Sequence, residues 1–474
     1  MYTIQSLLKN KISEFGDKLY IFEKVDEKYQ GKTYGQFVKD VYSFANYLQQ
    51  QNLVGKKIAL YAKNSYAYMV SDIAVMGFVG ISVCISKDWS ARDLNNVIEQ
   101  LDLDAILYGK EQAEHIDKLR DLFPQILYIP VETAIDCSAT IECTKDLINP
   151  NECSKIIFSS GTTGTPKAVM LSQNNMFACW ENLYKRVPLN HTDVNYLFLP
   201  LHHAYAGICV SLYSLITGMK IYMCSSIDKM IDEMREVQPT VFCAVPLIYE
   251  RVYAICQATN ISPSKLLGGN MRYMFCGGAW FDPKVREFFK SNGIDIMHSY
   301  GLSETSSIVC VDYPQATDFN SVGTVFENTE VKILNPNEEG VGEIIVQGNN
   351  VFLGYYNNLQ ATSKAFDSEG FFHTGDLGRL NGNLLYVYGR IKKVIVLSNG
   401  ENVYADEIVS LLMKNPGVTS AKVYEKNKKI FATIFCNTKI DANEVIELVN
   451  EQLPKYSHIQ EFEVVDDSIS VRMK

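Results

Sequence analysis

The sequence predicts an α/β protein: a large N-terminal region of helix-covered sheets, a small β-barrel-like subdomain, and a small α+β lid domain at the C-terminal end. Three observations carry this. Helix-period segments alternate with short apolar runs through roughly the first three hundred residues, as they do when helices cover a mostly parallel sheet. Between Val322 and Gly389 the texture changes to short alternating segments broken by Gly and Asn, such as "VKILNPNEEGVGEIIVQG" and "GNLLYVYGR", which predicts antiparallel pairing. From Ile391 onward a helix, two strands and a second helix follow in quick succession. Residues 1–389 are therefore expected to form the N-terminal domain and residues 390–474 the lid. A chain of 474 residues is in any case too long for one ordinary core.

Each element has its own signal. "YGQFVKDVYSFANYLQQ" places apolar residues at helical spacing, and "KKIALYA" is a short buried strand. The run "AYMVSDIAVMGFVGISVCIS", Ala67 to Ser86, is long enough to span a membrane. Asp72 sits inside it and Gly77 and Gly80 interrupt it, so a buried helix feeding the strand "ISVCI" is expected, with no integral membrane segment. "ARDLNNVIEQL" and "DAILY" continue the alternation, and "VNYLFLPL", "KIYMC", "IDKMIDEMREV" and "TVFCAVP" resume it later. Near the end, a helix runs from Asp406 into "LLMKN", strands "AKVYE" and "KIFATIFC" follow, and Asp441 with Glu444 opens a further helix as an acidic capping box. There is no internal repeat and no low-complexity linker.

Composition narrows the function. Hydrophobic residues make up 47% and charged residues 21%, which excludes a disordered chain. A formal net charge of −10 argues against a nucleic-acid partner, which calls for a basic footprint. The twelve cysteines form no C-x-x-C pair, so neither a zinc nor a dithiol motif is present. The opening "MYTIQSLLKNKISEF" has no secretory layout, and free buried thiols in the reducing cytoplasm are expected.

The most informative stretch is "SSGTTGTPKA", Ser159 to Ala168, between the strand-like "KIIF" and "VMLS". Ordinary turns need one or two special residues, not ten small or polar ones. Glycines let backbone N–H groups converge on phosphate oxygens, hydroxyls add donors, and Lys167 adds a compact positive charge. The loop is built to hold a polyphosphate. It is not a Walker A loop, because Thr165 and Pro166 separate Gly164 from Lys167 and Ala168 stands where a hydroxyl is required.

This loop resembles the phosphate-binding signature of the adenylate-forming superfamily, which includes acyl-CoA synthetases, peptide-synthetase adenylation domains and firefly-type luciferases. The resemblance covers nearly the whole chain: "TYGQF" and "KKIALYAKNS" precede the loop, and "YGLSET" (Tyr300 to Thr305), "FFHTGDLG" (Phe371 to Gly378) and "GRIKKVIVLSNGENVYADEI" (Gly389 to Ile408) follow in order. It implies that ATP activates a carboxylic acid as an acyl adenylate with release of pyrophosphate, and that a thiol, on coenzyme A or on the phosphopantetheine of an acyl or peptidyl carrier protein, then takes the acyl group. It implies further that Ser159, Ser160, Gly161, Thr162, Thr163, Gly164 and Lys167 hold the departing phosphates. Gly278 and Ala279 of "CGGA" would line the adenine edge, Tyr300 its face, and Gly301 and Ser303 would lie by the α-phosphate. Glu304 would be the Mg2+ ligand, since a carboxylate with phosphate oxygens suits that hard cation. Asp376 would accept the ribose hydroxyls and Arg390 would close over them. Lys393 would be the hinge, and Gly400 would let a pantetheine arm pass close to the backbone. Lys474 falls at the position of the superfamily's C-terminal catalytic lysine. Ser303 stands where relatives carry Thr, Ala405 where many carry Pro, and Met473 where Gly is usual.

For the acid itself, His202, His203, Tyr205 and Trp280 are expected to line the pocket, with His203 at the carboxylate entrance and a catalytic candidate. The resemblance also implies that amino-acid adenylation domains carry an Asp for the substrate ammonium in the segment matching Leu199 to Gly207; this stretch holds no carboxylate, and an unpaired buried ammonium is costly, so an α-amino acid is not the expected substrate. "PTVFCAVPLIYERVY" resembles the matching segment of medium- and long-chain acyl ligases and points to a fatty or other apolar acid. A luciferase-like oxidation of the adenylate, or a relative that only binds nucleotide, would share these motifs.

Overall fold

The computed structural model describes residues 3–89, 91–137, 148–159, 166–391, 394–396, 402–426 and 429–466. The chain divides into two compact units, residues 1–330 with 346–372, and residues 331–345 with 373–474.

The first unit contains two sheets. One runs in the order Gly354–Tyr355, Lys167–Ser172, Cys153–Ser159, Ile81–Cys84, Lys57–Tyr61, Ala105–Tyr108, Leu127–Pro130. The last five of these strands are parallel, and the first two join antiparallel. The other sheet has a parallel centre made of Ile296–Tyr300, Tyr273–Cys276, Val241–Ala244, Val194–Leu197, Lys220–Met223 and Leu19–Val25. Antiparallel strands flank it on both sides. Parallel strands need covering on both faces, and amphipathic helices supply it: Ala91–Leu101 buries Leu94, Val97, Ile98 and Leu101, while Pro246–Thr259 buries Ile248, Tyr249, Val252 and Cys256.

The apolar run from Ala67 folds as a helix Tyr66–Ala74, a π-helical turn Val75–Val79 and the strand Ile81–Cys84. Asp72 does not break this segment. It is buried and accepts from both sides: Lys155 Nζ lies 2.6 and 2.7 Å from its two oxygens, and Ser82 Oγ donates at 2.6 Å. Lys155 is fully buried on the strand that leads into the hydroxyl-rich loop. A charged pair in such a place is tolerated because each partner cancels the other's desolvation. No helix among the described residues is long and apolar enough to cross a membrane.

In the second unit the parts of Thr329–Leu334, Gly342–Gly348 and Phe372–Asn381 that belong to it lie side by side with Leu384–Arg390. Beyond them come the hairpin Val394–Val396 and Asn402–Tyr404, the helix Ala405–Met413, and a sheet of Val418–Lys426, Lys429–Cys436 and Glu461–Asp466. The last two strands are parallel; the helix Ala442–Asn450, capped by the Asp441 carboxylate, makes the crossover. Ile408, Leu412, Ile430, Ile434 and Val449 fill the core between these elements. Eleven cysteines among the described residues are free thiols, most of them buried.

Candidate active site

The loop from Ser160 to Thr165 lies outside the described residues, but its two posts do not. Ser159 ends one strand and Lys167 begins the next, and they are direct antiparallel partners. The hairpin therefore presents Lys167 at the loop's exit, opposite the hydroxyl of Ser159. The two-residue strand Gly354–Tyr355 pairs with Met170 and Val169 on the same hairpin. Because side chains alternate along a strand, Tyr355 shares a face with Lys167, and Lys167 Nζ lies over its ring at 4.7 Å. Gly354 is required beside it. Its φ is +133°, and an added Cβ would meet Thr362 at 2.7 Å.

Tyr355 also reaches the second predicted centre. Its hydroxyl donates to Glu304 Oε1 at 2.9 Å. Glu304 sits in a single 3-10 turn, Ser303–Thr305, just past the strand Ile296–Tyr300. It is buried, and its backbone carbonyl accepts from Phe352 N at 2.8 Å. The turn folds back so tightly that a Cβ on Gly301 would stand 2.1 Å from the Ser307 carbonyl. The sequence therefore brings Lys167, Tyr355 and Glu304 into one contiguous constellation. Tyr355 is the member that motif reasoning did not name.

Tyr300, Gly301 and Ser303 are partly buried along the same strand end. The neighbouring strand Tyr273–Cys276 ends in Gly277, Gly278 and Ala279, the last two exposed. Tyr300 and Ala279 thus stand at the C-terminal ends of adjacent parallel strands, where open α/β sheets bind ligands.

His202 is buried and His203 exposed, with ring centroids 4.2 Å apart. Burial, with His203 beside it, pushes the His202 imidazole down to about 3, so it is neutral at ordinary pH. Tyr205 opens a π-helical turn, Tyr205–Leu212, and burial holds its phenol well above the ordinary value. Trp280 is 40% exposed.

Asp376 and Arg390 belong to the second unit and are strand partners in register. Arg390 Nε lies 2.8 Å from Asp376 Oδ1, and its Nη1 donates to the Thr374 carbonyl at 3.1 Å. Thr374 Oγ1 in turn accepts from Asp376 N at 3.0 Å and donates to the Ile344 carbonyl at 2.6 Å. The carboxylate is thus buried and pre-oriented by a guanidinium. Lys393, Gly400 and Lys474 lie outside the described residues, as do Ser160, Gly161, Thr162, Thr163 and Gly164. No cluster of three or more His, Cys, Asp or Glu that could hold a metal occurs among the described residues.

Comparison with known proteins bears on the fold and the family. Solved structures of the same fold include the O-succinylbenzoate coenzyme A synthetase of Bacillus subtilis in complex with AMP, at a TM-score of 0.83 and 23% identity, covering 97% of this chain and 94% of that one. MatB of Rhodopseudomonas palustris with bound ATP matches at a TM-score of 0.84 and 23% identity, over 97% and 95% of the two chains. The fold is that of the adenylate-forming enzymes. Residues 8–356 match the AMP-binding enzyme family, and the chain belongs to it. Relatives include the human long-chain-fatty-acid–CoA ligase ACSBG1, 25% identical over 96% of this chain and 74% of that protein. The chloroplastic long-chain-fatty-acid–[acyl-carrier-protein] ligase AEE15 of Arabidopsis thaliana is 24% identical over 99% of this chain and 82% of its own length.

Proposed function

We propose that this chain is an AMP-forming acid–thiol ligase: it activates a carboxylic acid with ATP as an acyl adenylate and then passes the acyl group to a thiol. The observation that carries the reading is the Lys167–Tyr355–Glu304 constellation, which sets one cation and one carboxylate at the exit of a phosphate-binding loop. Attack of a carboxylate on the α-phosphorus expels pyrophosphate, and charge must be stabilised on both sides of that bond. Lys167, Ser159 and the loop hydroxyls would hold the departing phosphates. Ser303 would donate to the α-phosphate, with Tyr300 and the Gly278–Ala279 backbone along the adenine. Asp376, steadied by Arg390, would accept the ribose hydroxyls. Glu304 fits a divalent cation: it is a buried carboxylate whose Oε1 accepts from the Tyr355 hydroxyl, with Lys167 over the Tyr355 ring. Mg2+ bound there with ATP would supply charge neutralisation.

The lid is proposed to begin at residue 390, to hinge at Lys393 and to bring first Lys474 and then Gly400 to the reacting centre. A fatty or other apolar acid remains the favoured substrate class over an α-amino acid, supported by the uncharged His202, by Tyr205, and by the relatives' long-chain substrates. Those relatives use coenzyme A in one case and a carrier protein in the other, so both acceptors belong in the test. Incubation with ATP, Mg2+, an acid panel and either coenzyme A or a holo-carrier, followed by mass spectrometry, should show AMP and one thioester. Formation of ADP, or AMP without any thioester, would refute the reading.

A further inference from the structure

Within the second unit Asp376 follows directly on a kink in its strand. Among the described residues of Phe372–Asn381 only Gly375 has a positive φ, +70°, and a Cβ there would meet nothing within 4 Å. Backbone conformation, not space, therefore requires glycine at this position. The two consecutive amides at the kink are held by side chains. Gly375 N–H donates to Glu343 Oε1 at 3.1 Å, and Asp376 N–H donates to Thr374 Oγ1 at 3.0 Å. Glu343 stands on Gly342–Gly348, and its other oxygen lies 2.9 Å from His373 Nδ1. The next residue of that strand, Ile344, takes the Thr374 hydroxyl on its carbonyl at 2.6 Å.

An ordinary strand needs no such brace, because its ladder gives each amide a carbonyl of the neighbouring strand. A left-handed glycine inside a strand disrupts that ladder locally, and here a charged acceptor takes the freed amide. A carboxylate only accepts, so both groups around Glu343 donate to it, the Gly375 amide on one oxygen and His373 Nδ1–H on the other. His373 thereby fixes the rotamer that presents Oε1 to the kink. The carboxylate of Asp376 is met independently, by Arg390 Nε at 2.8 Å. Backbone and side chain of Asp376 are thus set separately, as a group aimed at a ligand requires. We propose that Glu343 is a positioning residue of the nucleotide site, acting through the Gly375 amide to aim the Asp376 carboxylate at the ribose hydroxyls. The proposal rests on the ribose reading of Asp376.

The test measures binding of ATP and of 2′,3′-dideoxy-ATP, each with Mg2+, to the full chain by calorimetry. The unmodified protein is compared with Glu343→Ala, Glu343→Gln and Asp376→Ala. The unmodified protein should favour ATP roughly 10- to 100-fold, and Asp376→Ala should erase most of that preference. Glu343→Ala should erase most of it too, by weakening ATP while the dideoxy nucleotide binds as before. Glu343→Gln keeps an acceptor for the Gly375 amide and should retain most of the preference. His373→Ala should lower it in the same direction as Glu343→Ala, and stands in if that variant does not fold. Equal weakening of both nucleotides in Glu343→Ala, or an unchanged preference, would make Glu343 a structural brace alone; it would overturn the proposal and leave the ribose reading standing. No preference in the unmodified protein, or a full preference in Asp376→Ala, would overturn both.

Discussion

Tyr355 does at the residue scale what neither Lys167 nor Glu304 can do alone: it contacts both. A hydrogen bond to a charged group is worth about 1.5–3 kcal/mol, and a cation over an aromatic face about 0.5–2 kcal/mol. Tyr355→Phe keeps the ring under Lys167 and removes only the donor to Glu304. It should lower kcat/KM for MgATP by roughly 10- to 100-fold, with tertiary stability nearly unchanged; unaltered kinetics would mean that Glu304 needs no orientation. Loop chemistry singled out Lys167 in the sequence, and the resemblance of "YGLSET" to a family motif singled out Glu304. Tyr355 was not legible, because it lies 51 positions from Glu304 and its strand is two residues long, too short for any periodicity. A second residue-scale prediction concerns acid. Burial pushes both His202 and His298 from the ordinary 6.5 down to about 3, so the fold holds both neutral. Below pH 6.5 the unfolded chain binds protons that the folded chain refuses. The stability these residues contribute is therefore complete above pH 6.5 and is lost as pH falls toward 3, at up to about 1.4 kcal/mol per pH unit for each histidine. Urea midpoints of the first unfolding transition between about pH 6.5 and 5 should fall less steeply in His298→Gln than in the unmodified protein; identical slopes would contradict a neutral His298.

At the scale of elements, the Asp72–Lys155 pair ties the helix Tyr66–Ala74 to the strand that enters the phosphate loop. Removing one partner strands a buried charge. Asp72→Leu or Lys155→Met alone should cost about 3–5 kcal/mol, whereas the double variant should return close to the original stability or exceed it. Denaturant titration of the three variants decides this, and additive losses in the double variant would contradict the pairing. Asp72 shows what sequence reading can and cannot do here. Its charge pointed to a buried helix feeding a strand, as the segment folds, but its partner stands 83 positions away, and nothing local announces a lysine in the middle of a buried strand. The π-helical turns Val75–Val79 and Tyr205–Leu212 were equally invisible, since they differ from α-helix in backbone hydrogen bonding and not in apolar pattern. The alternation of helices and parallel strands was legible because covering both faces of a sheet requires it.

For the whole molecule, the sheets that carry the nucleotide motifs and the α+β unit at the C-terminal end are both readable from texture. The contact division adds the strand segments 331–345 and 373–390 to the same compact unit as the C-terminal residues, a grouping that sequence proximity conceals because residues 346–372 return to the first unit. If the lid serves two half-reactions, Lys474→Ala should slow adenylation by roughly 10²–10³ while leaving thioester formation from supplied acyl adenylate nearly intact. Gly400→Leu should do the reverse, and parallel losses in both steps would refute the division of labour. The central claim, acid activation with departure of pyrophosphate, is tested most directly by acid-dependent exchange of labelled pyrophosphate into ATP with Mg2+ present and no thiol. The account predicts label in ATP for at least one fatty or other apolar acid, abolished when that acid is omitted; ATP binding with no acid-dependent exchange across the whole panel would contradict it.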